Sequence, residues 1–247
     1  MILTLLMTME GSRPEISRLI NVEDDVHLGE FAPIIDAAFG FTGTASHLYM
    51  GSTGGETAVF SANPSGGEHQ ESEFTLGDID AMTYVYDPAA NWNIKLEILG
   101  VSDIESPSPM LIDALGPDVV EPCGGPDLMT AFHTEARRLA SGLGPDMKVS
   151  PLLLSFMPVM TPERLVQRLS HADHTTVAER IAFTAETVFD EPEDGTSDDP
   201  HTPELSEEFD SFMETRPDLQ QILALDPNPE RNPTLIAAIS EFFSDHS

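Results

Sequence analysis

The chain has 247 residues, of which 43 are acidic and 11 are basic, so its formal net charge is −32. Such a charge repels phosphate backbones and anionic lipid surfaces, and it argues against direct nucleic-acid binding and against membrane association. The single cysteine excludes an internal disulfide, and no apolar run reaches the ~18 residues that span a bilayer. We therefore predict a soluble cytoplasmic protein.

The first part of the chain predicts two strands followed by a helix. MILTLLMTME and EISRLINV have strand-like composition, and Gly11 and Ser12 between them suit a hairpin turn. In HLGEFAPIIDAAFG the apolar residues recur at intervals typical of an amphipathic helix that ends at Gly40, although Pro33 lies inside it. Arg18, on the second strand, is expected to pair with a carboxylate.

A second hairpin is predicted around the only tryptophan. ASHLYMG is a short strand, and the Gly- and Ser-rich residues 51–72 predict a long loop with one short strand, TAVF. DAMTYVYD and NIKLEILGV follow as two β-rich runs separated by PAANW. Tyr84 and Tyr86 alternate along the first run and face the core, and Trp92 covers the core at the hairpin mouth.

The rest of the chain predicts mainly helices. MLIDALGPDVVEPCGGPDLM is rich in proline and glycine and predicts an irregular loop. The helix that follows has four apolar residues at helical spacing: Leu128, Phe132, Ala136 and Leu139. Thr161 and Pro162 open a helical stretch that SHADHTT divides into two helices. Residues 190–210 hold ten acids and no base, which is typical of a flexible acidic segment.

These patterns predict an α+β fold. An N-terminal mixed β-sheet packs one helix, in a strand–strand–helix–strand order reminiscent of a β-grasp, and a mostly helical C-terminal half follows. We divide the chain into an α+β domain at 1–127, a helical region at 128–189, an acidic linker at 190–210 and C-terminal helices at 211–247.

Four blocks of this sequence carry a family resemblance: LTLLMTMEGSRPEISRLINV, then LGEFAPIIDAAFGF with SHLYMG, then YVYDPAANWNIKLEIL, and finally EPCGGPDLM. In their order and spacing, from Leu3 to Met129, they resemble the plasmid pRiA4b ORF-3-like family, also described as passenger proteins of an insertion element. Members of that family show Y-x-Y-D-F-G-D-x-W-x-H-x-I-x-L-E in the third block and E-D-C-G-G-P in the fourth. The resemblance implies a fold and a mobile-element origin, with no agreed reaction.

The chain departs from the family at several polar positions. Ala89 and Ala90 replace Gly-Asp, Ile94 replaces a histidine, and Tyr49 replaces the second histidine of an H-L-H strand. If family members use those polar residues for a metal or for catalysis, this chain has lost most of them. The matching positions that remain are our candidate binding residues: Tyr84, Tyr86, Asp87, Trp92, Glu97, Cys123, Gly124 and Gly125.

The cysteine and a histidine pair have structural explanations. Glu121 and Asp127 flank Cys123, which predicts an unreactive buried thiol in a glycine turn, with Gly124 and Gly125 at positive φ or in close approach. His171 and His174 form an H-x-x-H pair that suits either a metal or an exposed helix end. The chain has no phosphate-binding G-x-x-x-x-G-K-S/T loop and no G-x-S-x-G nucleophile motif.

Three functions are consistent with these observations. The leading hypothesis is a non-enzymatic interaction protein with an unknown protein partner and no cofactor. The alternative is a metal-assisted hydrolase that uses His47 and Asp87, with His69 nearby, where Asp87 is otherwise a turn residue. A third hypothesis is a protein that binds a transposase or resolvase through the acidic residues 190–210.

Overall fold

A computed structural model describes residues 1–79, 81–104, 106–144 and 161–189. The strands, in chain order, are β1 Ile2–Met9, β2 Ser17–Glu23, β3 His47–Thr53, β4 Glu56–Ser61, β5 His69–Gln70, β6 Ala81–Tyr86, β7 Trp92–Ser102 and β8 Met110–Leu115. The helices are α1 Leu28–Phe39, α2 Pro126–Ala140, α3 Pro162–Arg168 and α4 His174–Phe189. The predicted acidic linker and C-terminal helices lie outside the described residues.

The strands form one sheet of eight strands in the order β5-β4-β3-β6-β7-β1-β2-β8. Neighbouring strands are antiparallel, except for the two-residue pairing of β4 with β5. Both predicted hairpins, β1–β2 and β6–β7, are present, and β1 joins them because it pairs with β7 as well as with β2. The predicted N-terminal α+β sheet is therefore confirmed.

Two strands contradict the sequence prediction. Strand β5 is a second strand in the region 51–72, where only one is predicted, and β8 is the larger difference. The segment predicted as an irregular loop begins with β8, Met110–Leu115, which pairs with the edge of β2. The strand lacks an alternating apolar pattern because it lies at the sheet edge, where Leu111 is buried but Ile112 and Leu115 are exposed. A register irregularity opposite Leu19 and Ile20 further disrupts its periodicity.

Helix α1 forms as its periodicity predicts. The Glu30 carboxylate accepts the backbone N–H of His27 at 3.0 Å and caps the first turn, and Gly40 ends the helix with a φ of 81°. Pro33 is accommodated because it lies on the half-exposed side of the helix. The opposite side of the helix packs into the core through its apolar residues: Leu28, Phe31, Ala32, Ile34, Ile35, Ala38 and Phe39.

The later helices belong to the same hydrophobic core as the sheet. Phe132 of α2 and Val177 and Ile181 of α4 are fully or almost fully buried in it, and α4 packs against α1. The predicted buried face of α2 was wrong at Leu128, which is 56% exposed, because the helix presents Met129 to the core. Helix α4 therefore forms a wall beside α1.

The break between α3 and α4 is confirmed. Thr161 caps α3, accepting the Arg164 N–H at 3.4 Å, and α3 ends at Arg168. His171 precedes α4 and His174 begins it, so the two imidazoles do not share a helix face. His174 Nε2 lies 3.3 Å from the carbonyl oxygen of Ile112 on β8. In the described residues, no helix combines the length and the hydropathy that crossing a bilayer requires.

Candidate functional site

The two hairpin tyrosines connect β6 to two distant acids. Tyr84 donates a hydrogen bond to Asp36 Oδ1 of α1 at 2.8 Å, and Tyr86 donates one to Glu121 Oε1 at 2.9 Å. Both rings are fully buried, as the alternation of β6 predicts. The hydroxyl groups therefore form the polar end of two otherwise apolar core residues.

His47 lies beside this polar group and has its own acidic partner. Its Nε2 is 3.1 Å and 3.3 Å from the two carboxylate oxygens of Glu71, which is itself buried. The imidazole also lies over Tyr84, with 5.3 Å between the ring centroids. A buried carboxylate in this position fixes the orientation of the imidazole ring.

His47 and Asp87 lie at the same end of the paired strands β3 and β6, where the Asp87 N–H donates to the Ser46 carbonyl oxygen at 2.9 Å, but each side chain bonds to another group. Asp87, with a φ of 44°, accepts the backbone N–H of Ala89 at 3.2 Å and is the turn residue that the sequence indicates. His69 packs against Phe60, with 5.6 Å between the rings. Within the described parts of residues 1–144 and 161–189, no group of three or more His, Cys, Asp or Glu side chains is arranged to hold a metal ion.

Asp36 is the residue that the sequence reasoning missed. It is only 8% exposed, and burial raises the pKa of its carboxyl from 3.8 to about 6, opposed by the Tyr84 hydrogen bond and by His47. Oδ1 accepts the Tyr84 hydroxyl, whereas Oδ2 has no hydrogen-bond donor in the described part of the chain. A single acid inside the apolar segment PIIDAAF was the available signal.

Asp36 lines an open cleft of about 420 Å³ between α1 and α4, which we call the Asp36 cleft. The cleft is lined by the following residues: Ala32, Pro33, Asp36, Ala37, Phe41, Thr42, Gly43, His47, Arg180, Phe183 and Thr184. Most of its walls are apolar, and Phe183 on α4 is 70% exposed at the cleft. The site is therefore a recess with a carboxylate and apolar walls.

The only arginine in that lining is already bonded to other groups. Arg180 donates from Nε to the carbonyl oxygen of Ala37 at 3.0 Å, and from its two terminal nitrogens to Asp118 at 2.9 Å and 2.8 Å. Asp118 also accepts a hydrogen bond at 3.3 Å from Arg18, which is fully buried. This confirms the predicted pairing of Arg18 with a carboxylate, and it fixes α4 against α1.

The glycine turn at the end of the family motif packs against the hairpin tip. Cys123 is 4% exposed, and burial raises the pKa of its thiol to about 12, so it is the unreactive thiol that the sequence predicts. Gly124 and Gly125 have φ values of 70° and 137°, as expected. A Cβ atom on Gly125 would lie 2.7 Å from the carbonyl oxygen of Ala90. This close approach holds the turn that carries Glu121.

Gly125→Ala is expected to lower the free energy of unfolding by about 1 to 3 kcal/mol, because it adds both backbone strain and a clash with the hairpin. Chemical denaturation of the full chain measures the effect. Gly100→Ala is the control, since Gly100 lies in β7 without a positive φ, and a Cβ atom added there would meet nothing within 4 Å. An equal effect of the two substitutions would contradict the close approach.

Two further predicted residues lie outside the cleft. Trp92 is completely buried, with its ring edge-on to Phe41 at 5.9 Å, and among the described atoms its Nε1 has no hydrogen-bond partner. Glu97 is on the surface of β7, where it accepts a hydrogen bond from Lys95 at 2.9 Å. Trp92 therefore supports the cleft through Phe41, and Glu97 does not line it.

In the described residues, the fold and the site define an α+β protein with a mostly antiparallel sheet of eight strands and a cleft between two helices that holds the buried carboxyl of Asp36. The chain belongs to the plasmid pRiA4b ORF-3-like protein family, whose model matches residues 1–138. A comparison with curated proteins found no match.

A similar solved structure is a crystal structure of a protein of unknown function from Methanosarcina mazei Go1. The two chains are 16% identical, the TM-score is 0.54, and the similarity covers 65% of this chain and 92% of the other. At this identity the likeness supports the fold alone.

Proposed function

We propose that this chain is a non-enzymatic, cytoplasmic interaction protein of plasmid or mobile-element origin, and that it binds a protein partner at the Asp36 cleft. The observation that carries the proposal is the exposure of Phe183. This residue forms an apolar wall of the cleft, and it is 70% exposed. Aromatic side chains are enriched at protein–protein interfaces relative to the rest of the surface. The family membership supports the origin, and the single buried cysteine supports a reducing compartment.

The bonding of the polar groups favours binding over chemistry. Tyr84 is bonded to Asp36, His47 to Glu71 and Tyr86 to Glu121, so these side chains are held by one another. The hydroxyl groups among the described lining residues are those of threonines, Thr42 and Thr184, and neither has a histidine as its hydrogen-bond partner. The arrangement therefore lacks the base-activated nucleophile of covalent catalysis.

The partner can be identified by photocrosslinking and the site then tested by affinity. A photoreactive amino acid at position 183 is expected to capture a partner from the native host that the same group at position 104 does not capture. With the purified partner, Phe183→Ser should weaken binding by about tenfold or more, because burial of a phenyl ring contributes roughly 1.5 to 3 kcal/mol. Calorimetry of the full chain measures this change.

Ile104→Ser is the matched control for that experiment, because Ile104 is 77% exposed and does not line the cleft. It should leave the affinity unchanged. Equal affinities of the Phe183→Ser variant and the original chain would overturn the cleft as the contact surface. Turnover of a substrate that is lost when His47 or Asp87 is replaced would overturn the non-enzymatic assignment.

An enzyme remains the second candidate, and one observation favours it. Burial raises the pKa of the Asp36 carboxyl to about 6, and a carboxyl with such a pKa can serve as a general acid or base near neutral pH. His47, bonded to Glu71, borders the same cleft. The metal-assisted hydrolase that uses His47 and Asp87 stays a prediction. Its test is native mass spectrometry after addition of Zn²⁺ or Mn²⁺: stoichiometric metal that is lost in His47→Ala and Asp87→Asn would support it.

A further inference from the structure

Around the Asp36 cleft, negatively charged groups outnumber positively charged ones. Arg180 and the buried Arg18 share the carboxylate of Asp118, and His47 is paired with Glu71, whereas Asp36 and Glu121 have no cationic partner in the described residues. Glu121 accepts hydrogen bonds from the Tyr86 hydroxyl, the Thr42 hydroxyl and the Thr42 N–H, all of them neutral donors. Negative charge is therefore in excess beside the cleft, as it is over the whole chain.

Asp36 supplies an acceptor within that recess that is still free. The residue is more than nine-tenths buried, yet it lines the cleft and its Oδ2 has no donor in the described part of the protein. A Cβ on Gly43, which also lines the cleft, would lie 3.6 Å from Oδ2, so this oxygen faces the Gly43 side of the recess. Oδ2 is not one of the fully enclosed side-chain atoms that lack a hydrogen-bond partner, so it is open to the cleft, where a cationic donor would form a charge-assisted hydrogen bond with it.

The walls indicate what kind of cation fits. Pro33, Ala37 and Phe183 present apolar surface along the approach to the carboxylate. Lysine and arginine combine an apolar stem with a charged end, and they bury the stem against such surfaces. A cleft of about 420 Å³ is large enough for one such side chain. An anion would meet the excess negative charge, and a bare divalent ion would lack a three-ligand group among the described residues.

We infer, on the basis of the proposed function, that the Asp36 cleft receives one basic side chain, arginine or lysine, of the protein partner. The ammonium or guanidinium group donates to Asp36 Oδ2, and the stem of the side chain packs between Pro33 on α1 and Phe183 on α4. The Arg180–Asp118 pair keeps α4 in place as the second wall. The proposal names the chemistry of the partner and requires no covalent step.

The probe pair for this site is N-acetyl-arginine amide and N-acetyl-citrulline amide, which have nearly the same shape and differ in charge. Calorimetry or NMR titration of the full chain is expected to show at least about tenfold tighter binding of the arginine compound, since a buried charge-assisted hydrogen bond is worth more than a neutral one. Asp36→Asn should remove that preference. Equal binding of the two compounds by the unaltered chain would overturn the inference.

Asp113→Asn is the matched control, because it removes the same charge from an exposed position on β8 that does not line the cleft. It should preserve the preference for arginine, and loss of the preference in this variant would overturn a local role for Asp36. If the compounds are not distinguished but partner binding still depends on Phe183, the inference fails while the proposed function stands. If arginine binds through Asp36 but Phe183→Ser leaves partner binding intact, the proposed function fails and a free cation is the ligand.

Discussion

Replacing Arg18 by methionine is expected to lower the free energy of unfolding by about 3 to 5 kcal/mol, the largest single effect that we predict. Arg18 is fully buried on β2. Its guanidinium donates to four carbonyl oxygens at 2.8 to 2.9 Å, and to Asp118 at 3.3 Å; the carbonyls are those of Ala38, Ser17, Leu115 and Pro117. Methionine has a similar length and would leave all of these acceptors without that donor.

Denaturant unfolding of the full chain measures this effect. Arg137→Met is the control, because Arg137 is exposed near the end of α2, where loss of a charge costs about 0.3 to 1 kcal/mol. Arg18→Lys tests the geometry separately: an ammonium group cannot reproduce the planar fork, so this variant should also be destabilised but less than the methionine variant. A cost below about 1 kcal/mol for Arg18→Met would contradict the structural role of the network.

Elements with strong local patterns were predictable from the sequence. Helix α1 has apolar residues at helical spacing and a glycine at its end, and the hairpin β6–β7 has two alternating runs around a turn. Each of these signals lies within about a dozen residues, so it does not depend on the rest of the fold. Even Pro33 did not prevent the helix prediction, because it lies on the side that faces away from the core.

Strand β8 was not predictable in the same way. Its residues Met110–Leu115 are mostly half-buried or exposed, and the partner strand β2 lies about ninety residues earlier in the chain. An edge strand obtains its hydrogen bonds from a neighbour that is distant in sequence, and local composition does not reveal that neighbour. In helix α2 the predicted positions Phe132 and Ala136 are buried, and only the first one, Leu128, is wrong, because Met129 is buried in its place.

The candidate site was predictable only in its separate parts. The family blocks include His47, Tyr84 and Tyr86, and they also contain Asp36 and Glu121, but they do not show which acid each side chain contacts. Glu71 lies outside them. Asp36 is 48 residues from Tyr84, and Glu71 is 24 residues from His47. The packing of α1 on the sheet brings Asp36 to Tyr84, the turn at Glu71–Glu73 brings Glu71 to His47, and α4 forms the second wall of the cleft.

Asp36→Asn is expected to stabilise the protein at pH 8 by about 2 to 3 kcal/mol, and to have little effect near pH 4. The pKa of the Asp36 carboxyl is raised from 3.8 to about 6 by burial. Because the folded pKa exceeds the unfolded one, the stability that this carboxyl contributes is fully present below the unfolded value of 3.8. That contribution is lost as the pH rises through the folded value, and the difference corresponds to about 3 kcal/mol.

Asparagine removes the charge and keeps an oxygen that can accept the Tyr84 hydroxyl, so the core contact survives. Thermal or denaturant unfolding between pH 4 and pH 8 measures the difference between the two chains. His47, Tyr84 and Glu121 also act on this carboxyl, so the comparison is repeated in a His47→Gln background, where the difference should persist. The exposed Asp113→Asn control should show no comparable pH-dependent gain.

If Asp36→Asn raised the free energy of unfolding less at pH 8 than at pH 4, ionisation of Asp36 would not destabilise the folded protein, and the prediction would be wrong. The expected result has a consequence for function, because a carboxylate that destabilises the fold when ionised has no structural reason to be charged. The same substitution should therefore raise stability and abolish the preference for arginine over citrulline. If Asp36 had only a structural role, its replacement would lower both the stability and the preference for arginine. A rise in stability together with loss of the preference therefore distinguishes a binding role from a role in packing.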